Sequence, residues 1–435
     1  MKKVLGILFF MSAAAFARDL TLDEAIELSL NNSKKIQISS KNMKIGELNL
    51  ARAFKMALPS VSYEGSYSRF EHTQRDMYGR ETGVNKITNI KSAEKGKEEK
   101  GGYSSQIVIS QPIFQGGAIL GGIKGAKAQS NIMDLSFVAE KRDVRIDTIQ
   151  MYSNIVRYQK DLEALETSKK ELEIRHKEQQ NKLDLKLIIK ADLLKTEVAM
   201  LEVDSNIVQV KNLIEVEMKK LKIETGLTNE EELNLADITV PEELSKNIDF
   251  DKDMVTAKTE SLDALISKNN VEYANAERMV AFSDNLPKVN AFVQYGGYER
   301  DSMDDTFHNE EWRGGVSVSW ELFNFGSGID NFRAANEGYK IEKLNDSIAQ
   351  DNIEINLTTA YSEVVRLEKL RTAMRSSLEA SQENYNIDTE RYKAGLLSTQ
   401  DYLNSEAQLR QSKVDYNKAE TDYLVAFEKY RSLLI

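Results

Sequence analysis

Few side chains in this 435-residue sequence have a type and spacing that could carry a reaction. It holds three histidines, His72, His176 and His308, and no two of them stand at metal-ligand spacing. Cysteine is absent, which excludes a disulfide scaffold and cysteine-ligated zinc or iron–sulfur centres. The run 116–127, GGAILGGIKGAK, is rich in glycine but lacks the Gly-Lys-Ser/Thr ending of a P-loop. It reads as a strand-to-helix connection. The Glu/Lys-rich run 169–178 reads as a solvated helix face. Acidic residues offer one pattern: Ser398-x-x-Asp401 is a helix N-cap, and Asp192 lies in a comparable first turn. No residues support an enzyme, a cofactor or a resident metal.

The chain is 41% hydrophobic and 29% charged, with 69 acidic against 58 basic residues and a net charge of -11. Its mean hydropathy is -0.47. On average this describes a soluble, mostly helical protein, with no basic footprint for nucleic acid. Residues 1–17 change the setting. Lys2 and Lys3 precede an apolar run that ends in Ala13-Ala14-Ala15-Phe16-Ala17, the pattern of a secretory signal peptide cleaved after Ala17. That run is too short to anchor the chain across a bilayer. No later segment offers about 18 consecutive apolar residues, so a membrane role must come from strands.

Strands are present, twice. Leu58-Pro59-Ser60-Val61 returns as Leu286-Pro287-Lys288-Val289, and the segment 107–114 returns as 316–323. The 209-residue offset of the second match also maps Leu187 to Leu396 and Asp192 to Asp401. The sequence therefore reads as an internal duplication. The first repeat spans residues 18–225 with strands at about 58–72 and 101–114, and the second spans 250–435 with strands at about 286–299 and 312–324. A linker at 226–249 joins them. Each strand alternates: Val61, Tyr63 and Tyr67 oppose Ser60, Ser62 and Glu64, and Trp312, Val316 and Val318 oppose Arg313, Ser317 and Ser319. One face suits lipid and the other water. Polar loops at 74–100 and 300–311 join the strands of each pair. Proline-free stretches at 118–186 and 327–393 predict helices of about 100 Å. Leu162, Leu165 and Leu172, or Leu367, Leu370, Met374 and Leu378, follow coiled-coil-like spacing. Three of the four prolines, Pro59, Pro112 and Pro287, fall where helix and strand should meet.

Four strands cannot close a barrel alone. Two copies would give eight, with an interior filled by side chains, whereas three would give twelve and a water-filled passage. At this point the sequence resembles the TolC-like outer-membrane efflux protein family. The resemblance is carried by Leu20-Thr21-Leu22-Asp23-Glu24-Ala25-Ile26, Leu58-Pro59-x-Val61, Gln111-Pro112-Ile113-Phe114-x-Gly116-Gly117 and Arg391-Tyr392-x-x-Gly395-Leu396. It implies an α+β membrane protein. Three protomers of four strands would close a twelve-stranded β-barrel in outer-membrane lipid, continued by a long coiled-coil-like periplasmic α-barrel. It also implies a periplasmic adaptor and an inner-membrane pump as partners, and no nucleic acid.

The family carries gating carboxylates just after the Arg-Tyr-x-x-Gly motif. Here the matching positions are Asp401 and Asn404, with Tyr392 in the motif and Asp192 at the paired tip of the first repeat. Leu397 stands where a basic latch residue is expected, so that latch departs from the pattern. A threefold ring of Asp401 would draw cations to the narrowest point, while a capping role remains an equal alternative. The leading expectation is a passive outer-membrane duct of a tripartite efflux or type I secretion system. The competing one is a structural or adhesive periplasmic coiled-coil protein.

Overall fold

The computed structural model describes residues 18–71, 84–85, 90–91, 99–228, 233–299 and 311–435. The signal segment with Ala17, His72, His308 and most of both polar loops lie outside the described residues.

The first half opens with β1 (Arg18–Leu20), α1 (Leu22–Asn32), α2 (Lys34–Lys55) and β2 (Ser60–Glu71). The short pair β3 (Val84–Asn85) and β4 (Ile90–Lys91) precedes β5 (Glu99–Gln115), α3 (Ala118–Asp184) and α4 (Lys190–Thr225). After β6 (Leu233–Leu235) and a 3-10 turn at Leu244–Asn247 come α5 (Phe250–Glu260), α6 (Leu262–Ser283) and β7 (Lys288–Glu299). The chain ends with β8 (Glu311–Ser319), α7 (Ser327–Lys393) and α8 (Thr399–Ser432). Corresponding elements recur at fixed offsets. Leu22 and Phe250, Lys34 and Leu262, and Ser60 and Lys288 each begin paired elements 228 residues apart. Ala118 and Ser327, and Lys190 and Thr399, do so 209 apart. The change of offset falls between the paired strands, where the first loop is the longer.

Local chemistry sets the helix ends. Thr21 caps α1 reciprocally with Glu24: the Glu24 amide donates to Thr21 Oγ1 at 3.3 Å and the Thr21 amide to Glu24 Oε2 at 3.0 Å. Gly116 enters α3 with a φ of +61°, and a Cβ there would lie 2.5 Å from the Ser283 carbonyl oxygen, so only glycine fits the turn. Most of the glycine-rich run is not a connection, as the sequence suggested, but the first turns of α3. Gly121 lets α6 approach, since a Cβ there would meet Val280 Cγ2 at 2.9 Å.

Contacts divide the chain into two compact units, each drawing on both halves. One comprises the described residues up to Ile45 with Asn131–Asn269 and Leu344–Ile435, and the other Gly46–Ser130 with Asn270–Lys343. The second unit holds an antiparallel sheet ordered β2-β5-β7-β8. Its register places Tyr63, Ile107, Tyr295 and Trp312 in one cross-strand row, and Val61, Ile109 and Val293 in the next. Most apolar residues of the four strands thus share one face, with Val108 and Phe292 on the other. On the other face Gln106 donates to Glu64 at 2.8 Å, and the Ser66 and Ser104 hydroxyls meet at 2.8 Å. Strands β2 and β8 are the sheet edges.

Two boundary expectations need correction. The fourth strand ends at Ser319, not near residue 324. Ser319 pairs with Lys288 at the very start of β7, and Pro287 before it has no N–H to extend the ladder. Pro59 and Pro287 do separate a helix from a strand, but Pro112 does not. Pro112 lies inside β5 at a register shift between Pro112 and Phe114. There β5 has run past its β2 partner, whose first residue Ser60 pairs with Ser110, so a missing donor on that side costs nothing.

In the first unit the segment between the halves is stitched down. Strands β1 and β6 pair in parallel, and the Tyr152 hydroxyl sits 2.7 Å from the Leu20 carbonyl and 2.8 Å from that of Ala236. The Arg371 guanidinium donates to the carbonyls of Pro241 at 2.9 Å and Val240 at 3.2 Å, and to Glu420 at 3.3 Å. The Tyr423 hydroxyl accepts from the Leu244 amide at 2.8 Å and donates to Glu368 at 2.7 Å. No helix among the described residues is long and apolar enough to cross a membrane.

Candidate functional site at the hairpin ends

The four predicted gate residues all fall near two helix–turn–helix ends of the first unit. α3 passes to α4 through residues 185–189, and α7 to α8 through 394–398. Both turns close alike. The Leu187 amide donates to the Lys182 carbonyl at 2.8 Å, and the Leu396 amide to the Arg391 carbonyl at 2.9 Å. Each passes through a left-handed residue, Lys186 at φ 59° and Gly395 at φ 75°.

The hairpins are joined along one stripe of α3. Asp161, Leu165, Ser168, Leu172, Arg175 and Gln179 follow alternating four- and three-residue steps, the seam of a coiled coil. Leu165 and Leu172 are buried and pack with Val203, Ile207, Tyr402 and Leu403. The polar seam positions bond to the opposite hairpin. Asn417 donates to Asp161 at 2.8 Å, Ser168 bonds to Glu406, and Arg175 Nε donates to the Tyr402 hydroxyl at 3.4 Å. Gln179 donates to the Tyr392 hydroxyl at 2.8 Å and accepts from Thr196 Oγ1 at 2.7 Å. The run 169–178 is therefore not simply a solvated face, because Leu172 and Arg175 point into this seam.

Three tyrosines complete the cluster. Tyr392 stacks on Tyr402 with ring centroids 4.7 Å apart and planes 21° apart. Tyr385 and Tyr402 hydroxyls meet at 3.1 Å, and Tyr385 also bonds to Glu171. Burial, reinforced by that carboxylate, pushes the Tyr385 phenol well above its usual range, so it stays a neutral donor. Burial of Arg175 alone would lower its pKa, but its bonds to Tyr402 and Glu178 outweigh this and hold it charged. Glu406 is raised, first by burial, and the opposing effects of Ser168 and Arg410 do not cancel it.

Of the predicted gate residues, only Tyr392 joins this cluster. Asp401 caps its own helix, accepting from the Ser398 hydroxyl at 2.7 Å while its amide donates back at 3.1 Å. Asn404 accepts from Gln400 at 3.0 Å, and Asp192 from Lys195 at 3.3 Å. Each is tied within its own helix. Gln179, Arg175, Tyr402 and Glu406 were missed as site residues; Arg175 and Gln179 continue the spacing of Leu165 and Leu172 on α3, whereas Tyr402 and Glu406 lie on α8 and carry no such signal. His176 is half-buried on α3, and no three His, Asp or Glu among the described residues group as metal ligands.

Residues 255–434 match the family model for outer membrane efflux protein. That segment, less than half of the chain, is similar to the outer membrane efflux protein family. It contains the Arg391-Tyr392-x-x-Gly395-Leu396 motif and both helices of the second hairpin. The efflux-protein fold extends beyond it. The Campylobacter jejuni CmeC outer membrane channel is 17% identical with a TM-score of 0.79, covering 95% of this chain and 85% of that one. A membrane protein from Pseudomonas aeruginosa is 12% identical with a TM-score of 0.81, covering 97% and 91%. The open-state Neisseria gonorrhoeae MtrE outer membrane channel is 14% identical with a TM-score of 0.75, covering 95% and 88%. No curated sequence matches this chain. The motifs of the first half lie outside the matched domain but inside the shared fold, so the resemblance read from the sequence agrees with both findings.

Proposed function

We propose that this chain is one protomer of a passive export duct in the outer membrane, reaching into the periplasm. The observation that carries the reading is the sheet of the second unit. Its four strands align most apolar side chains on one face and polar ones on the other, and its two edge strands have no outer partner among the described residues. In hydrocarbon such edges must be paired, so the sheet must close with other copies. Three copies would give twelve strands with the polar face turned to a water-filled lumen. In the first unit α4 exposes Leu194, Val198, Leu201 and Val208 at helical spacing, a stripe suited to a second copy. The helices of three protomers would then continue the duct as an α-barrel, and the fixed element offsets support reading each protomer as an internal duplication. A passive duct needs a pump to drive transport, which fits the adaptor and inner-membrane pump of a tripartite efflux or type I secretion system.

Fractionation of expressing cells tests this. The chain should be recovered from the outer membrane as a detergent-resistant trimer. Recovery as a monomer or dimer from the soluble periplasm would instead favour the structural coiled-coil reading.

A second outcome concerns Asp401, which is exposed in the first turn of α8. Three copies in a ring would concentrate negative potential. Asp401→Asn should weaken block of ion current by multivalent cations while the Ser398 cap to its backbone amide persists. Unchanged block would leave Asp401 with the capping role alone.

A further inference from the structure

We infer that Gln179 is the positioning residue that holds the two hairpin ends together, and that it makes this clasp independent of pH. The inference rests on the duct reading for its consequence and on geometry for its substance. Gln179 is 2% exposed and stands on α3, and its side chain hydrogen-bonds to three other helices. Its Nε2 donates to Tyr392 on α7 at 2.8 Å and approaches Thr399 on α8 at 3.5 Å, while its Oε1 accepts from Thr196 on α4 at 2.7 Å. All of these groups are neutral. An amide is the side chain that both donates and accepts without a charge.

Titratable and charged groups border the clasp. His176 stands three residues before Gln179 on α3, and Glu406 on α8 bonds to Ser168 further along the seam. On α3, Arg175 pairs with Glu178 at 2.8 Å, and Arg175 and Lys182 each lie 5.9 Å from the Tyr392 ring centroid. On α4, Asp192 pairs with Lys195 at 3.3 Å, and on α7, Asp388 pairs with Arg391 at 3.7 Å. On α8, Asp401 is held by Ser398. The second-repeat position where a basic latch was expected is Leu397, which packs against the apolar cluster instead. The amide of Gln179 thus takes the joining role that a salt bridge would otherwise fill.

The absence of native cysteine makes a direct test clean. Spin labels at Leu187→Cys and Leu396→Cys, both exposed turn positions, report the distance between hairpin ends by double electron–electron resonance in the full-length trimer. Ion current across planar bilayers reports the opening. In the wild type the distance should be narrow and unchanged from about pH 5 to about pH 8, the range in which a titrating clasp would respond. Gln179→Leu leaves the Tyr392 and Thr196 hydroxyls without this partner, and should broaden the distance and raise open probability roughly tenfold. Gln179→Glu supplies a selective readout. Its protonated carboxyl donates and accepts as the amide does, and burial raises its pKa. The clasp should therefore hold at low pH and open as the carboxyl loses its proton on raising pH. A distance unchanged by Gln179→Leu, or a wild-type distance that shifts with pH, would overturn the proposal. A trimer whose labels behave as expected but which conducts no ions would support the clasp and sink the duct.

Discussion

Val293→Arg should keep the chain out of the outer membrane, while Gln294→Arg, one residue along the same strand, should be tolerated. Val293 pairs with Ile109 on β5 and Gly314 on β8, in the middle of the apolar face. Gln294 pairs with Val108 and Arg313 and points to the other face. A cationic side chain on the lipid face near the bilayer midplane costs about 2–4 kcal/mol, and a lumen-facing one far less. A trimer carries the penalty three times, which is large against the net stability of a folded protein. The measurement is the trimer yield in the outer-membrane fraction for each variant. Equal yields would mean that the apolar face does not meet lipid.

The second large effect concerns Tyr402. It is 1% exposed and fills the space between the hairpins, stacked on Tyr392 and within 3.1 Å of the Tyr385 hydroxyl. Tyr402→Ala should cost about 3–5 kcal/mol through lost burial and the cavity left behind. It also strips Tyr385 and Arg175 of a buried partner. Tyr402→Phe keeps the stack and loses only the hydroxyl, for about 1 kcal/mol. Chemical unfolding of the two variants should separate them in that order, and hydrogen exchange should localise the loosening to the hairpin ends. Equal stability of Tyr402→Ala and the wild type would show that the tyrosine cluster does not hold the hairpins.

Much of this architecture is legible in the residues, for identifiable reasons. The long helices begin at Ala118 and Ser327 as expected, because glycine turns or irregular chain precede them and no proline interrupts them. The alternation of each strand foretold which residues share a face, since side-chain period is fixed at two. What was misplaced depended on partners. Alternation runs on through Trp320 and Leu322, but β8 stops at Ser319 because its neighbour β7 has no residue left to pair. Pro112 was read as a helix–strand junction, yet it is accommodated inside β5, where β5 has outrun β2. The clasp was missed for a related reason. Gln179, Arg175 and Glu406 sit in stretches dense with Lys and Glu, and only the opposing hairpin turns one face of those stretches into an interior. The Ser398–Asp401 cap, in contrast, is purely local and was read directly.

The claim that a polar-lined passage runs through an assembly of these chains is tested most directly by ion current across a planar bilayer holding the purified wild-type trimer. Discrete, long-lived conductance steps, one for each inserted trimer, are expected. Bilayers that demonstrably contain the protein and pass no current would contradict it.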